Sequence, residues 1–128
     1  MSGISLEDSV MDRLRRRYPC YHETAYLFIL SGLQFTIDRL GQPRHITGAE
    51  LAEGCRDLAL ERWGLMARPV LEFWGIHSTR DLGEIVFALV DCSVLVRRED
   101  DSLVDFEGVY SFEDVFEREY PWLAALDT

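Results

Sequence analysis

The chain contains no lysine and no asparagine among its 128 residues, and all 13 of its basic residues are arginine. Without a titratable side-chain amine there is no Schiff-base chemistry, no phosphate-loop lysine and no Ser–Lys dyad. Without asparagine there is no N-glycosylation site and no Cys-His-Asn triad. The patterns G-x-S-x-G, H-E-x-x-H and G-x-G-x-x-G are also missing. Apolar runs are short. Even Ala25–Leu30, among the longest, falls far below the ~20 residues needed to span a bilayer. Glu7 and Asp8 stand where a secretory leader would carry an apolar core, so no signal peptide and no membrane association are expected. The three cysteines, Cys20, Cys55 and Cys92, form an odd set without C-x-x-C spacing. They read as reduced thiols in a cytoplasmic protein, with Cys55 and Cys92 inside apolar helical patterns.

Apolar residues make up 48% of the sequence, enough for the core of one domain spanning 1–128. The net charge of −10 is unevenly spread. Residues 1–64 carry 9 acids and 8 arginines, whereas residues 65–128 carry 14 acids and 5 arginines. A field of that sign repels phosphate backbones and anionic lipid, and favours basic partners. Glu99, Asp100, Asp101, Asp105, Glu113 and Glu117 are therefore the candidate acidic docking surface.

Helix-start signals divide the chain. Ser5-Leu6-Glu7-Asp8 opens a first helix reaching about Arg17, with Val10 and Leu14 on one face, and Pro19 follows it. A second runs from about His22 to Leu40; its stretch Ala25–Leu30 is apolar all round, which makes it the expected centre of the fold. Thr47-Gly48-Ala49-Glu50 is a capping box for a third helix that starts near Gly48 and stops at Gly64. Met66–Trp74 reads as a short fourth helix closed by Gly75, and Ser78 caps a fifth over Thr79–Asp91. Val94–Arg98 and Leu103–Phe106 flank an acidic turn and predict a β-hairpin. Ser111 caps a last helix that Pro121 ends, after which Trp122 and Leu123 could dock the end of the chain.

The fold class expected is mainly α, about six helices with one β-hairpin and a winged-helix-like central part. Residues 1–46 form an N-terminal helical pair, 47–110 the winged-helix-like part, and 111–128 a C-terminal helix and tail. A nucleic-acid-binding winged helix would use Arg80, Arg97 and Arg98, yet its reading helix carries Asp81, Glu84 and Asp91 where base-reading side chains are needed. A metal protein or small enzyme built on His22, His45 and His77 is a further alternative, although their spacing matches no zinc pattern. No cofactor is expected. Arg15-Arg16-Arg17 complements the macrodipole at the end of the first helix. Trp63, Phe73 and Trp74 cluster around the third and fourth helices, where any exposed members would make an interaction patch.

Several blocks together resemble one family. They are Tyr21-His22-x-x-Ala25-Tyr26-x-Phe28, His45-Ile46-Thr47-Gly48-x-Glu50-Leu51, Trp74-Gly75-Ile76, Asp81-Leu82-Gly83-Glu84-Ile85-Val86-Phe87 and Asp101-Ser102-x-x-Asp105-Phe106. The pattern is similar to that of the Verrucomicrobia–Planctomycetes-restricted conserved hypothetical proteins, and covers about Ser5 to Phe116. Leu65 departs from it, standing where a proline is expected. The resemblance implies a bacterial, cytosolic protein and assigns no activity and no catalytic residue. Within these blocks, Tyr21, His22, Tyr26 and His45 form a candidate polar cluster, fixing the second helix to the third. Gly48 and Gly83 are expected where backbones approach closely. The function expected is a non-enzymatic module docking a basic or amphipathic protein, a second copy of the chain being one arrangement.

Overall fold

A computed structural model describes residues 8–95 and 102–118; for Glu117 and Arg118 it describes the backbone alone. Five α-helices follow in order: α1 (Asp8–Arg17), α2 (Glu23–Asp38), α3 (Gly48–Trp63), α4 (Ala67–Phe73) and α5 (Thr79–Asp91). A 3-10 turn, Gly64–Met66, links α3 to α4. Another covers Leu103–Phe106, and a π turn covers Asp114–Arg118.

The capping chemistry sets the helix starts. The Glu50 amide donates to Thr47 Oγ1 at 3.1 Å and the Thr47 amide donates to Glu50 Oε1 at 3.0 Å, closing the expected box at α3. His22 lies one position outside α2 and caps it, its Nδ1 accepting from the Thr24 amide at 3.1 Å. Ser78 caps α5.

The central helix is α2, which packs on both α3 and α5 and buries Ala25, Tyr26, Phe28 and Ile29. Two glycines let α2 and α3 interlock. A Cβ on Gly32 would overlap Cys55 Sγ; one on Gly54 would overlap Thr36 Oγ1 and lie 3.1 Å from Thr36 Cβ. The buried Thr36 hydroxyl donates back to the Gly32 carbonyl at 2.7 Å, so its position is held from its own helix. Around the rim, Arg17 pairs with Asp91 at 2.6 Å and Arg39 with Asp57 at 2.8 Å. Arg15 of the basic cluster pairs with Asp12 and Glu23. Among the described residues, no buried side-chain nitrogen or oxygen lacks a hydrogen-bond partner.

The expected hairpin is not there. Leu103–Phe106 is a 3-10 turn, not a strand, and no strand occurs among the described residues. Most of the other arm, with the turn Glu99–Asp101, lies outside them. The physical reason is the pair Ser102 and Asp105. Ser102 Oγ accepts from the Val104 amide at 3.4 Å and Asp105 Oδ2 accepts from the Ser102 amide at 3.0 Å, a capping box that commits the segment to a helical turn. Tertiary packing reinforces it. The buried Phe106 ring fills a socket between α3 and α5 where side chains on Gly48 and Gly83 would come within 2.9 and 2.7 Å of ring atoms. The close approach expected at these glycines is therefore made by an aromatic ring. The winged-helix-like reading fails with the hairpin, and the architecture is all-α within the described residues. The last expected helix is described as Phe112–Glu113 followed by the π turn.

Candidate functional site

The residue pattern around α4 produces the most unusual surface. Gly64 ends α3 at a φ of 51°, and the 3-10 turn then aims the chain into α4. Pro69 falls in the first turn of α4, where its missing N–H has no intrahelical acceptor to lose. Ala67 and Leu71, four apart, are buried against the body of the protein. Met66, Pro69, Val70 and Phe73 repeat at three- and four-residue spacing on the other side. A helix apolar on both sides is normally covered on both. Here the outer side stands in solvent, with Phe73 77% exposed, Met66 59% and the adjoining Leu65 56%.

Aromatic rings meet around the two ends of this segment, Trp63 standing before the 3-10 turn and Trp74 just after α4. Phe28 of α2 lies 5.4 Å from Trp63 and 5.9 Å from Trp74, ring centre to ring centre, and the two indoles meet edge to face at 5.3 Å. The far end of α4 is tied to the α1–α2 connection. The His22 amide donates to the Trp74 carbonyl at 3.0 Å, and Gly75, at a φ of 94°, leaves no room for a Cβ against the Cys20 carbonyl oxygen. The Phe73 ring stands 6.0 Å from the His22 imidazole. Charge flanks the stripe without crossing it: Arg68 pairs with Glu72 at 3.1 Å, and His77 Nδ1 lies 4.0 Å from the same carboxylate.

The expected polar cluster divides. Tyr21 and Tyr26 meet edge to face at 6.4 Å. The Tyr21 hydroxyl sits 2.8 Å from Asp81 Oδ1 and 2.6 Å from Glu84 Oε2, one proton facing two carboxylates, and burial with those neighbours pushes its pKa far above the ordinary value. The Tyr26 hydroxyl donates to the Tyr18 carbonyl at 3.3 Å. His22 caps α2 beside them. His45 instead lines a groove with Leu33 and Ile37, which lie roughly 16–22 Å along α2 from His22. The tyrosines thus join the start of α2 to α5, and sequence spacing gave no sign of those partners, 60 and 63 residues away.

The groove holding His45 has a volume of about 250 Å³ between α2, the start of α3 and α5. Its walls include Val86, Val90 and Leu95, with Phe106 among the lining residues. Arg44 contributes to the lining while holding Glu50 through two bonds, at 3.0 and 2.6 Å, which lowers the Glu50 pKa to about 2. Both charges of that pair are thus engaged with each other.

The candidate acidic surface is only partly described. Glu99, Asp100 and Asp101 lie outside the described residues, as does the side chain of Glu117. Asp105 serves as a cap and borders the groove, and Glu113 is exposed. Arg80, the described member of the arginine set for nucleic acid, pairs with Glu107 at 2.8 Å and Glu84 at 3.4 Å; Arg97 and Arg98 lie outside the described residues. Among the described residues no three His, Cys, Asp or Glu side chains converge on a point that could hold a metal ion. Nor, among them, is any helix long and apolar enough to cross a membrane. No protein-family model, curated protein or solved structure gives a match to this chain.

Proposed function

We propose that this chain is a non-enzymatic protein-interaction module whose docking face is the outer side of α4, and that its partner presents an amphipathic segment with basic flanks. The observation that carries the reading is the exposure of Phe73, Met66 and Leu65 together, beside a helix whose Ala67 and Leu71 are buried. Full burial of an exposed phenylalanine on docking contributes roughly 1.5–3 kcal/mol. The preference for basic flanks follows from the net charge of −10, which speeds encounter with cationic partners and repels nucleic acid. The family that the sequence blocks resemble implies no activity, so the reading rests on this surface.

The test is purification of the tagged full chain from its own host, beside the variant Phe73→Glu. A stoichiometric protein that co-purifies with the wild type, weakens with salt and is lost from Phe73→Glu would support the reading, provided the two proteins have the same helical circular dichroism and melting temperature. The same protein retained at full yield on Phe73→Glu, or nucleic acid retained in place of any protein, would overturn it.

A further inference from the structure

Native packing leaves few voids larger than a water molecule. Yet the groove between α2, the start of α3 and α5 holds about 250 Å³, the bulk share of about eight waters. Its walls are mainly apolar, Leu33 and Ile37 coming from α2 and Val86 and Val90 from α5. Water there has few hydrogen-bond partners, so an apolar body that displaces it gains affinity. An apolar cavity of ~150 Å³ takes up benzene. The groove, at about 250 Å³, suits a ring carrying a short chain and one polar head.

The polar residues of the lining decide the head. Arg44, His45 and Thr47 precede α3, and Asp105 packs beside its first residue: a Cβ on Gly48 would lie 3.0 Å from Asp105 Cβ. A helix start favours anions, but two carboxylates already stand at this one, Glu50 in the capping box and Asp105 alongside. Arg44 is held by Glu50 through two bonds. Asp105 Oδ2 accepts from the Ser102 amide, and Arg80 is taken by Glu84 and Glu107. No cation among the described residues pairs with Asp105. The unmatched charge at the groove is therefore negative, and the net charge of −10 adds to it.

We propose that this groove binds a small arylalkyl amine, its ring and chain between α2 and α5 and its ammonium group beside Asp105. Apolar burial supplies most of the affinity, and the exposed carboxylate of Asp105 selects a cation over an anion of the same shape. No residue of α4 is among the lining residues, so the site is separate from the docking face.

The test compares three probes that share one body: 3-phenylpropylamine, 3-phenylpropanol and 3-phenylpropanoate. Each is titrated near neutral pH into the full chain labelled with carbon-13 at its Ile, Leu and Val methyls. The amine is expected to bind with a Kd of about 0.1–1 mM. It should bind about threefold tighter than the alcohol, and tighter still than the acid, with nuclear Overhauser contacts from its ring to the Val86 and Val90 methyls. Asp105→Asn keeps an oxygen to accept from the Ser102 amide but removes the charge. It should weaken the amine about two- to fivefold and leave the alcohol unchanged. Val90→Phe fills the groove and should weaken all three probes about tenfold, with helical circular dichroism preserved; if that variant does not fold, Ile37→Trp at the exposed rim narrows the groove instead. The proposal is overturned by an alcohol or acid that binds as tightly as the amine, or by amine affinity unchanged in Asp105→Asn. It is equally overturned by full affinity in the folded filling variant, by no shift at Val86 and Val90 with any probe, or by ring contacts to Leu65 in their place. Each of these results leaves the partner test on Phe73→Glu standing.

Discussion

Replacing Gly54 with alanine sets two opposed effects against each other at the α2–α3 crossing. In an open helix the change is favourable by about 0.8–1.0 kcal/mol, because alanine loses less backbone freedom. At Gly54 the new methyl would overlap Thr36 Oγ1 and lie 3.1 Å from Thr36 Cβ. Thr36 is β-branched and buried, and turning its hydroxyl aside breaks the 2.7 Å bond to the Gly32 carbonyl, about 1 kcal/mol. If Thr36 holds its place, α2 and α3 must part, and overpacking of this kind costs about 1–3 kcal/mol. The net expectation is a loss of about 2 kcal/mol, equivalent to a fall in Tm of roughly 5–12 °C in a domain of this size. Urea unfolding followed by circular dichroism at 222 nm measures it directly, with an unchanged m-value showing that the native state stays compact. Thr36→Ala in the same chain removes the clashing hydroxyl, so the double variant should recover at least about 1 kcal/mol relative to the sum of the singles. A Gly54→Ala protein more stable than the wild type by about 1 kcal/mol would refute the interlocked crossing.

Three further outcomes follow from other sites. Phe106→Ala should lose about 3–5 kcal/mol, since it empties the socket between Gly48 and Gly83; thermal melting showing a loss below 1 kcal/mol would mean the ring is not held there. Glu50 has its pKa lowered from 4.5 to about 2, chiefly by its bonds to Arg44, so its stabilisation is complete above the unfolded value and disappears as pH falls from about 4.5 toward 2. Glu50→Gln should accordingly flatten the fall in stability across that interval, while an unchanged acid limb would show the pair to be idle. Cys20 is exposed, whereas Cys55 and Cys92 are buried and burial pushes the Cys55 thiol up to about 12. Ellman's reagent should therefore titrate one thiol in the native protein and three after unfolding, and rapid native reaction of all three would contradict the described core.

Local chemistry was readable from the sequence wherever partners lie within a few residues. The Thr47–Glu50 box, the Ser78 cap and the glycine stop at Gly75 each act over three or four positions, and α2 to α5 appear within a residue or two of their expected bounds; the expected cap of the first helix, Ser5–Glu7, lies outside the described residues. Leu103–Phe106 differs from expectation because four residues of mixed polarity fit a strand and a helical turn equally. The deciding pair is Ser102 and Asp105, whose spacing is that of a cap. Alternation also carried no trace of the Phe106 socket, which two glycines 35 positions apart create together. At α4 the pattern showed apolar residues on both sides and could not say which would be outside. That choice is made by tertiary packing, which buries Ala67 and Leu71 and leaves Met66 and Phe73 outside. The separation of His45 from Tyr21 was equally invisible, because it depends on the length of α2 lying between them.

The contacts that pin α1 and the start of α2 have a consequence for synthesis on the ribosome. Tyr21 finds Asp81 and Glu84, and Arg17 finds Asp91, only after α5 exists. The apolar α2 leaves the exit tunnel well before either of the helices that will cover it. At about 5–20 residues per second, the roughly 50 residues between the end of α2 and the end of α5 take about 3–10 s to add. Until α5 follows α3, Phe28, Ile29 and their neighbours lack part of their cover, so the nascent chain is a ready client for trigger-factor-like holdases. Slow codons that delay the emergence of α5 would lengthen that exposure and lower the yield of folded protein.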